Sequence, residues 1–345
     1  MKILVIGGTG FIGPSTIAYL QTAGHRVTVF HRGKSAAPEA VEEIKGDNHS
    51  LGEHRATFER GKFDVVIDFI LSSGKQAKEL LRIFRGITDR VAAISSIDVY
   101  RAIGVLHGTE PGPLQEIPLT EESQLRTQRN TYSPEGMRKM KEFYPWADDE
   151  YDKIPVEQAV LEDSDLCGTV LRLPMVYGPG DPLHRFHHML RRMDDGREKI
   201  ILPNDIAAWR TPRGFVDNVG AAIALAATSE KAAGRVYNIC EPESFSEVEW
   251  AKKIGDIVGW QGEFVVLPKG QTPEHLLMPG NLAQHWAASS ERIRKDLGYR
   301  EPVSLEEGIK RTIEWERAHQ PQAPMFMPFK YAEEDAALAQ LNASA

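Results

Sequence analysis

The chain has 345 residues, of which 41% are hydrophobic and 26% are charged. This composition is typical of a globular protein and excludes a fibrous or disordered chain. The length suits two domains or one large α/β domain with a lobe. The formal net charge of −8 argues against nucleic acid or an anionic membrane as a partner. No apolar run approaches the roughly 18–20 residues of a membrane span. Cys167 and Cys240 are too few for a disulfide framework, so we expect a cytoplasmic protein.

Short apolar runs predict strands in chain order at residues 3–6, 27–30, 65–69, 91–94, 169–173, 236–239 and 263–267. Near-continuous apolar runs of this length are typical of parallel strands covered on both faces. Helices are predicted at residues 15–24 and 74–84. Because strands alternate with helices, we expect an α/β fold with a doubly wound parallel sheet of the Rossmann type and a smaller α/β lobe near the C-terminus.

A glycine-rich turn follows the first predicted strand. It reads Gly7-Gly8-Thr9-Gly10-Phe11-Ile12-Gly13 and leads into the first helix, which opens with Pro14. A dinucleotide pyrophosphate binds backbone N–H groups at such a helix N-terminus, where glycine permits the tight turn and the close approach. We therefore predict that residues 7–13, the glycine turn, bind a dinucleotide. A strand-to-helix turn without a ligand is the plainer alternative.

The end of the second strand bears on the choice of cofactor. An acidic residue there favours NAD, because it binds the adenosine ribose hydroxyls. The sequence instead reads Phe30-His31-Arg32-Gly33-Lys34, so a 2′-phosphate is tolerated or preferred unless Arg32 and Lys34 are only solvated charges. We expect NAD(P), with NADP favoured. Asp47, at the end of a predicted third strand, is a candidate acceptor for the adenine amine.

Domain organisation follows from the same pattern. Residues 1–175 and 206–243 are predicted to form the dinucleotide-binding domain, and residues 176–205 and 244–316 the substrate-binding lobe. Residues 101–150 are rich in proline, glycine and charge, which indicates a long excursion with short helices. Residues 317–345 form a C-terminal tail, extended at 319–328 and helical at 331–341. Trp250, Trp260 and Trp286 are interpreted as lobe core.

Several further motifs belong together. They are Ile94-Ser95-Ser96-Ile97-Asp98-Val99-Tyr100, the Leu-Arg-Leu-Pro-Met-Val-Tyr-Gly-Pro-Gly segment at 171–180, Gly-Phe-Val-Asp-Asn-Val at 214–219, and the segments 289–298 and 302–308 followed by Trp315. With the glycine turn, they resemble the extended short-chain dehydrogenase/reductase superfamily, which contains the NAD-dependent nucleotide-sugar epimerases and dehydratases. The resemblance runs from residue 1 to about residue 316.

The resemblance implies a Ser, Tyr and Lys set. In that superfamily the Ser and the Tyr bind the reacting oxygen, the Tyr moves the proton, and the Lys holds the nicotinamide ribose and lowers the pKa of the Tyr. The matching residues are Ser96 and Lys153, and Pro174 falls in the cofactor site. The Tyr is expected four residues before the Lys, where this chain has Asp149. Tyr151 lies two residues before the Lys.

This departure leaves three interpretations open. Residues two apart lie roughly 200° apart around a helix, so Tyr151 and Lys153 cannot both face a nicotinamide from a regular helix. A helix that begins near Asp152 would tolerate Pro155 in its first turn and leave Tyr151 ahead of it. Either Tyr151 acts from an irregular start, or Asp149 is the base and pairs with Lys153, or the chain binds cofactor without the superfamily's redox chemistry.

Candidate substrate contacts come from three residues. Met175 stands where the sugar-nucleotide enzymes often have an Asn that contacts the substrate diphosphate, which suggests a less polar substrate because Met cannot donate a hydrogen bond. Arg210 and Arg213 are candidates for an anionic substrate group, with surface ion pairs as the alternative. We expect no metal site, and we interpret the His-containing segment at residues 183–192 as a basic helix face.

The predicted function is an NAD(P)-dependent epimerase, dehydratase or reductase that acts on a sugar-nucleotide-like or other hydroxyl or keto substrate. The resemblance also implies a homodimer. The alternative is a catalytically incomplete cofactor-binding protein with a regulatory or RNA-binding role, as in the chloroplast stem-loop-binding proteins of the same superfamily. The missing Tyr favours this alternative, and the charge of −8 disfavours RNA.

Overall fold

The computed structural model describes residues 1–129, 134–144, 146–322 and 326–344. In these residues the strands are β1 Lys2–Ile6, β2 Arg26–His31, β3 Glu42–Lys45, β4 Val65–Asp68, β5 Arg90–Ser96, β6 Cys167–Leu173, β7 Met175–Tyr177, β8 Lys199–Pro203, β9 Arg213–Phe215, β10 Arg235–Asn238 and β11 Glu263–Leu267. The helices are α1 Gly13–Thr22, α2 Arg55–Gly61, α3 Gly74–Phe84, α4 Arg101–Leu106, α5 Pro134–Phe143, α6 Lys153–Glu162, α7 His187–Asp194, α8 Asn204–Ala208, α9 Val216–Thr228, α10 Glu247–Val258, α11 Glu291–Leu297, α12 Leu305–Ala318 and α13 Tyr331–Ser344.

One sheet of seven parallel strands organises the described part of the chain. The strand order is β10-β6-β5-β4-β1-β2-β3, and β1 pairs with both β2 and β4. From β1 the chain therefore adds β2 and β3 on one side, and then crosses over to add β4, β5, β6 and β10 on the other side. Ligands bind at such a switch point, outside the carboxyl ends of the two strands where the order reverses. The predicted doubly wound α/β fold is confirmed.

The continuous apolar runs are explained by burial on both faces of the sheet. In β1, Ile3 and Val5 face a core built with α1 and α9, while Leu4 and Ile6 face a second core built with α3 and α6. All four side chains are fully buried. Because alternate residues of a strand point to opposite faces, a strand that is apolar at every position needs helices on both sides.

Outside the central sheet, the predicted strand at 263–267 is confirmed, while the sequence did not predict β7, β8 and β9. The predicted strand at 263–267 is β11, which pairs with β8 in a small parallel sheet, and β7 pairs with β9 in another. α10 begins with a capping box between Ser246 and Glu249 and ends at Gly259, whose φ is +70°. The division of the chain into a cofactor domain and a substrate lobe stays a prediction.

The remaining predicted elements lie close to their expected bounds. α3 has the predicted bounds, and α1 begins two residues earlier than predicted, with Pro14 in its first turn. The excursion carries α4 and α5, and the predicted tail helix is α13. The predicted extended segment 319–328 lies partly outside the described residues. In the described residues, no helix is both long enough and apolar enough to span a membrane.

Candidate active site

A cavity of about 640 Å³ opens along the carboxyl edge of the sheet. Its walls come from the glycine turn after β1, the end of β2, the segments that follow β4, β5 and β6, and the start of α6. The predicted site residues that line it are Gly7, Gly10, Phe11, Ile12, Gly13, Arg32, Ser96, Tyr151, Lys153, Pro174 and Met175. This position at the switch point of the sheet is where α/β folds bind ligands.

Three of the four glycines of the turn have different roles. Gly7 has a φ of +77°, which other residues rarely adopt, and its N–H donates to the Phe30 carbonyl at 3.0 Å. At Gly13 a Cβ would lie 2.3 Å from the carbonyl oxygen of Gly8, so this glycine lets the helix approach the turn. At Gly10 a Cβ would meet nothing within 4 Å. The turn thus leaves open space over the start of α1, which fits a dinucleotide pyrophosphate.

The end of β2 presents basic groups to the cavity. Arg32 and Lys34 are exposed and line it. His31 is buried, and its Nε2 lies 2.8 Å from Oε2 of Glu43. The segment after β2 therefore places two positively charged side chains, Arg32 and Lys34, at this end of the cavity.

Asp47 lies just outside the cavity, between two lining residues, Gly46 and Asn48. Its carboxylate caps a short 3₁₀ turn, Asn48–His54, and accepts a hydrogen bond from the backbone N–H of His49 at 2.9 Å. This bond, with a second from the His49 ring, lowers the pKa of Asp47. The carboxylate is already used locally, and its predicted adenine contact stays a prediction.

Lys153 lines the cavity and is only 3% exposed. Its Nζ donates to the carbonyl of Leu71 and to the carbonyl of Ile94, the latter at 3.0 Å. The Trp146 ring centroid lies 5.2 Å from Nζ, and the Tyr151 ring centroid lies 5.8 Å from it. Two ammonium hydrogens are therefore bound by backbone carbonyls, one in the segment after β4 and one in β5, which leaves one for a ligand.

Burial perturbs the charges around Lys153. Desolvation lowers the pKa of Lys153 to about 8, against the opposing effect of carboxylates that include Asp98 and Asp68. Asp68 ends β4 and is buried, and desolvation raises its pKa to about 7 although it accepts a hydrogen bond from the Ile70 N–H at 2.8 Å. Of these two groups, Lys153 lines the cavity, and a buried group with a perturbed pKa in a cleft is typical of a functional site.

The start of α6 determines how Tyr151 and Asp149 lie relative to Lys153. Asp152 is the N-cap, and its Oδ1 accepts a hydrogen bond from the Ile154 N–H at 3.0 Å. Pro155 therefore lies in the first turn, where its missing N–H has no helical partner to lose. Tyr151 precedes the helix and lines the cavity with Lys153. This is the geometry of the first of the three interpretations, a Tyr at an irregular start.

Asp149 does not lie where a regular helix would put it. Its side chain is 97% exposed, pairs with Lys141, and does not line the cavity. The predicted ion pair between Asp149 and Lys153 is therefore wrong. The prediction needed α6 to extend back through residue 149, but the helix begins only after the Asp152 cap.

The two serines at the end of β5 point in different directions. Ser96 lines the cavity, and its Oγ accepts a hydrogen bond from the Asp98 N–H at 3.1 Å. Ser95 is buried, and its Oγ donates to Oε1 of Glu157 at 2.5 Å. Ser96, the serine to which the resemblance assigns the catalytic role, therefore lines the cavity.

A buried polar network beneath the site was not predicted. Arg172 forms two hydrogen bonds with Glu157, at 2.9 and 2.7 Å, and a third with the Tyr100 hydroxyl at 2.8 Å. Tyr100 in turn donates to Asn238 at 2.7 Å. Burial raises the pKa of Tyr100 to about 12, and its ring lies outside the cavity. Although Tyr100 belongs to a recognised motif, it holds strands β5, β6 and β10 together and does not face the cavity.

The two arginines predicted to bind an anionic substrate lie elsewhere. Arg210 pairs with Glu249 at 3.0 Å, and Arg213 is buried and pairs with Glu247 at 2.6 Å. Neither lines the cavity. This corrects the expectation, and the alternative of structural ion pairs describes both residues. Met175 does line the cavity, as does Pro174.

Aromatic side chains form a wall of the cavity that the sequence did not indicate. Met140, Tyr144 and Trp146 come from α5 and the residues after it, and Trp286 comes from the C-terminal part of the chain. Trp286 was interpreted as lobe core, but it lines the cavity and donates from Nε1 to the Ile97 carbonyl at 3.3 Å. The available signal was the length of the excursion at residues 101–150.

Metal ligands do not gather in the described ranges, where no group of three or more His, Cys, Asp or Glu side chains could hold an ion. In the His-containing segment, the His184 Nδ1 lies 2.7 Å from Oε2 of Glu316.

Comparison with known proteins decides the family. The model of the NAD dependent epimerase/dehydratase family matches residues 3–240. The chain belongs to this family. The resemblance inferred from the motifs is thereby confirmed, and the family's members are NAD(P)-dependent epimerases, dehydratases and reductases.

Relatives with different activities match most of the chain. A 2-alkyl-3-oxoalkanoate reductase from Stenotrophomonas maltophilia is 26% identical over 348 residues, which cover 90% of this chain and 98% of the relative. The chloroplast stem-loop binding protein of 41 kDa b from Arabidopsis thaliana is 24% identical over 332 residues, which cover 89% and 77%. The solved UDP-glucose 4-epimerase from Thermotoga maritima has the same fold, with a TM-score of 0.64, 22% identity and coverage of 92% of this chain and 99% of that chain.

Proposed function

We propose that this chain is an NAD(P)-dependent oxidoreductase that interconverts a hydroxyl and a carbonyl group on a small molecule. The observation that carries the proposal is that Ser96, Tyr151 and Lys153 line one cavity together with the glycine turn. A bound dinucleotide would supply or accept the hydride. The chain's own residues would then bind the dinucleotide, orient the substrate oxygen and move the proton.

Each residue has a task that its position supports. The glycine turn binds the pyrophosphate through backbone N–H groups, with room above Gly10. Lys153 directs its remaining N–H to the ribose. Ser96 donates a hydrogen bond to the reacting oxygen, and Tyr151 gives that oxygen a proton in reduction and takes it back in oxidation. The Lys153 ammonium, 5.8 Å from the Tyr151 ring centroid, stabilises the negative charge that develops as the proton leaves.

The proposal includes a preference for NADP. Arg32 and Lys34 are exposed at the cavity end where the adenosine ribose would lie, and a guanidinium binds a phosphate through two parallel hydrogen bonds. The Glu43 carboxylate in this region is held by His31 at 2.8 Å. We therefore infer that a 2′-phosphate finds a cation there.

The test compares four variants for hydride transfer and for cofactor binding. Tyr151→Phe and Lys153→Met are expected to lower kcat by at least about 100-fold, the range of a lost general acid. Ser96→Ala should lower it less. Asp149→Asn is the matched control, because it removes a nearby carboxylate that is 97% exposed and outside the cavity.

Two results would contradict the proposal. If Asp149→Asn abolishes turnover while Tyr151→Phe does not, the proton carrier is misassigned. If neither substitution changes turnover in folded protein, the chemistry lies elsewhere.

A regulatory or RNA-binding role is the second candidate, since the family's Tyr position here holds a surface Asp. Salt-dependent retention on single-stranded RNA, without cofactor-dependent turnover, would favour it. Homodimer formation also stays a proposal, to be measured by light scattering.

A further inference from the structure

We propose that the substrate is a neutral hydroxy or keto compound that carries an aromatic or extended apolar group, and that it is not a nucleotide sugar. This inference rests on the proposed function, since it describes the substrate of the same cavity. Three observations support it: an aromatic wall beside the reacting end, a guanidinium that is already paired with a carboxylate, and the absence of a side-chain hydrogen-bond donor at Met175.

The aromatic wall lies next to Lys153, so it is at the end of the cavity where the substrate must react. The Trp146 ring centroid is 5.2 Å from Nζ of Lys153, and the Tyr144 and Trp146 centroids are 5.7 Å apart. Met140 and Trp286 also line the cavity. Large rings and thioethers bind apolar and aromatic groups, and they offer few hydrogen bonds to a hexose.

The guanidinium that a diphosphate would need is already paired with a carboxylate, although its Nε is buried without a hydrogen-bond partner. Among the described residues, Arg185 supplies the guanidinium that lines this half of the cavity. Its NH1 donates to the buried Asp181 carboxylate at 2.6 Å and to the Val176 carbonyl at 2.8 Å. The Arg185–Asp181 pair is neutral in sum. Burying the two charges of a diphosphate beside it would be costly without further cations.

The segment after β6 provides no replacement donor. Met175 has no side-chain donor, and its backbone N–H already donates to the Pro212 carbonyl at 3.0 Å. Arg210 and Arg213 are held by Glu249 and Glu247 outside the cavity. Residues 130–133 and 145, outside the described ranges, include no Lys or Arg in the sequence. A ketone or alcohol with an apolar body carries no charge, so its binding does not require the burial of an uncompensated charge.

The reaction balances for a ketone. The carbonyl carbon gains a hydride from the reduced dinucleotide, and the carbonyl oxygen gains the proton of Tyr151. The product is a secondary alcohol, one dinucleotide is oxidised, and Tyr151 recovers its proton from water. Oxidation of the alcohol is the reverse.

The experiment measures both turnover and binding for two substrate classes. The full-length protein is mixed with NADPH or NADP and with an aryl ketone, an alkyl β-keto ester, UDP-glucose or UDP-galactose. Turnover is followed by nicotinamide absorbance, and binding to the protein–NADP complex is followed by calorimetry. Trp146→Ala should weaken aryl-ketone binding about tenfold, given the apolar contact that it removes. Phe326→Ala, an exposed aromatic outside the cavity, is the matched control and should leave binding unchanged.

The outcomes separate this inference from the proposed function. Turnover of the ketones with no binding of either sugar nucleotide supports both. Turnover of a sugar nucleotide overturns the inference and leaves the proposed function intact. Ketone binding that Trp146→Ala weakens, without hydride transfer, supports the inference and contradicts the proposed function. If the cofactor binds but none of the four compounds binds, the inference is overturned.

Discussion

Replacing Gly10 with valine separates a cofactor-binding turn from a purely structural one. A Cβ at Gly10 would have no neighbour within 4 Å, and the backbone there is not in the left-handed region, so the folded protein should accept the larger side chain. The same open space lies in the cavity, above the N-terminus of α1. The valine side chain would therefore occupy the volume that the pyrophosphate needs.

The expected loss of affinity follows from the hydrogen bonds that a displaced pyrophosphate forgoes. A hydrogen bond to a charged group contributes about 1.5–3 kcal/mol. Losing two of them weakens binding by about 3–6 kcal/mol, which corresponds to roughly 10²–10⁴-fold in Kd at about 1.4 kcal/mol per tenfold change. The free energy of unfolding without cofactor should change little, because the new side chain has no neighbour to displace.

The assay is calorimetric titration of NAD and NADP, with thermal unfolding monitored in parallel. Gly270→Val is the matched control, since its Cβ also meets nothing within 4 Å and the residue lies outside the cavity. Gly13→Ala is the opposite control: its Cβ would lie 2.3 Å from the Gly8 carbonyl oxygen, so it should destabilise the fold by about 1–3 kcal/mol. A folded Gly10→Val protein that binds either dinucleotide with wild-type affinity would refute the reasoning.

Two further predictions concern charge. Arg32→Ala should weaken NADP binding at least tenfold, about 1.4 kcal/mol, and leave NAD binding unchanged. Arg26→Ala, at the other end of β2, is the control and should change the affinity for neither dinucleotide. If Arg32→Ala binds NADP as tightly as the wild type does, the assignment of Arg32 to the 2′-phosphate is wrong. Because burial lowers the pKa of Lys153 to about 8, its positive charge is lost as the pH rises through that value, and the rate of ketone reduction should decline there. The Asp68 carboxylate raises this pKa, so Asp68→Asn should move the decline in rate to lower pH. A flat pH–rate profile from about pH 7 to about pH 9.5, or a shift to higher pH, would contradict this assignment.

The features that could be predicted from the sequence are those whose physical cause is local. The glycine turn is specified by seven consecutive residues, and the conformational demands on Gly7 and Gly13 act within the turn and the strands beside it. The inner strands of the central sheet are likewise specified by their largely apolar runs, since they are buried on both faces, whereas the edge strand β3 is polar and mostly exposed. These elements therefore lie within a few residues of the expected bounds.

The features that could not be predicted depend on partners distant in sequence. Arg213 was a candidate substrate ligand because a guanidinium can bind an anion through two hydrogen bonds, but its partner is Glu247, which lies 34 residues later. Trp286 joins the cavity wall because it reaches the Ile97 carbonyl, 189 residues earlier. Neither contact produces a periodic or compositional signal in the sequence. Only the folded chain therefore shows that Arg213 lies outside the cavity and that Trp286 lines it.

The spacing of Tyr151 and Lys153 has a physical explanation in the backbone of the residue between them. Asp152 has a φ of −160° and a ψ of +119°, which is an extended conformation, and the helix begins only at Lys153. In extended backbone, side chains two residues apart share a face, just as side chains four apart do in a helix. A Tyr four residues before the Lys suits a helix that continues through both, and a Tyr two residues before it suits an extended approach to a helix that starts at the Lys. Asp152 fixes this start, because its carboxylate caps Ile154 and pairs with buried Arg126 at 3.0 Å. The chain can therefore bring a phenol and an ammonium to one cavity with a spacing that a regular helix would forbid.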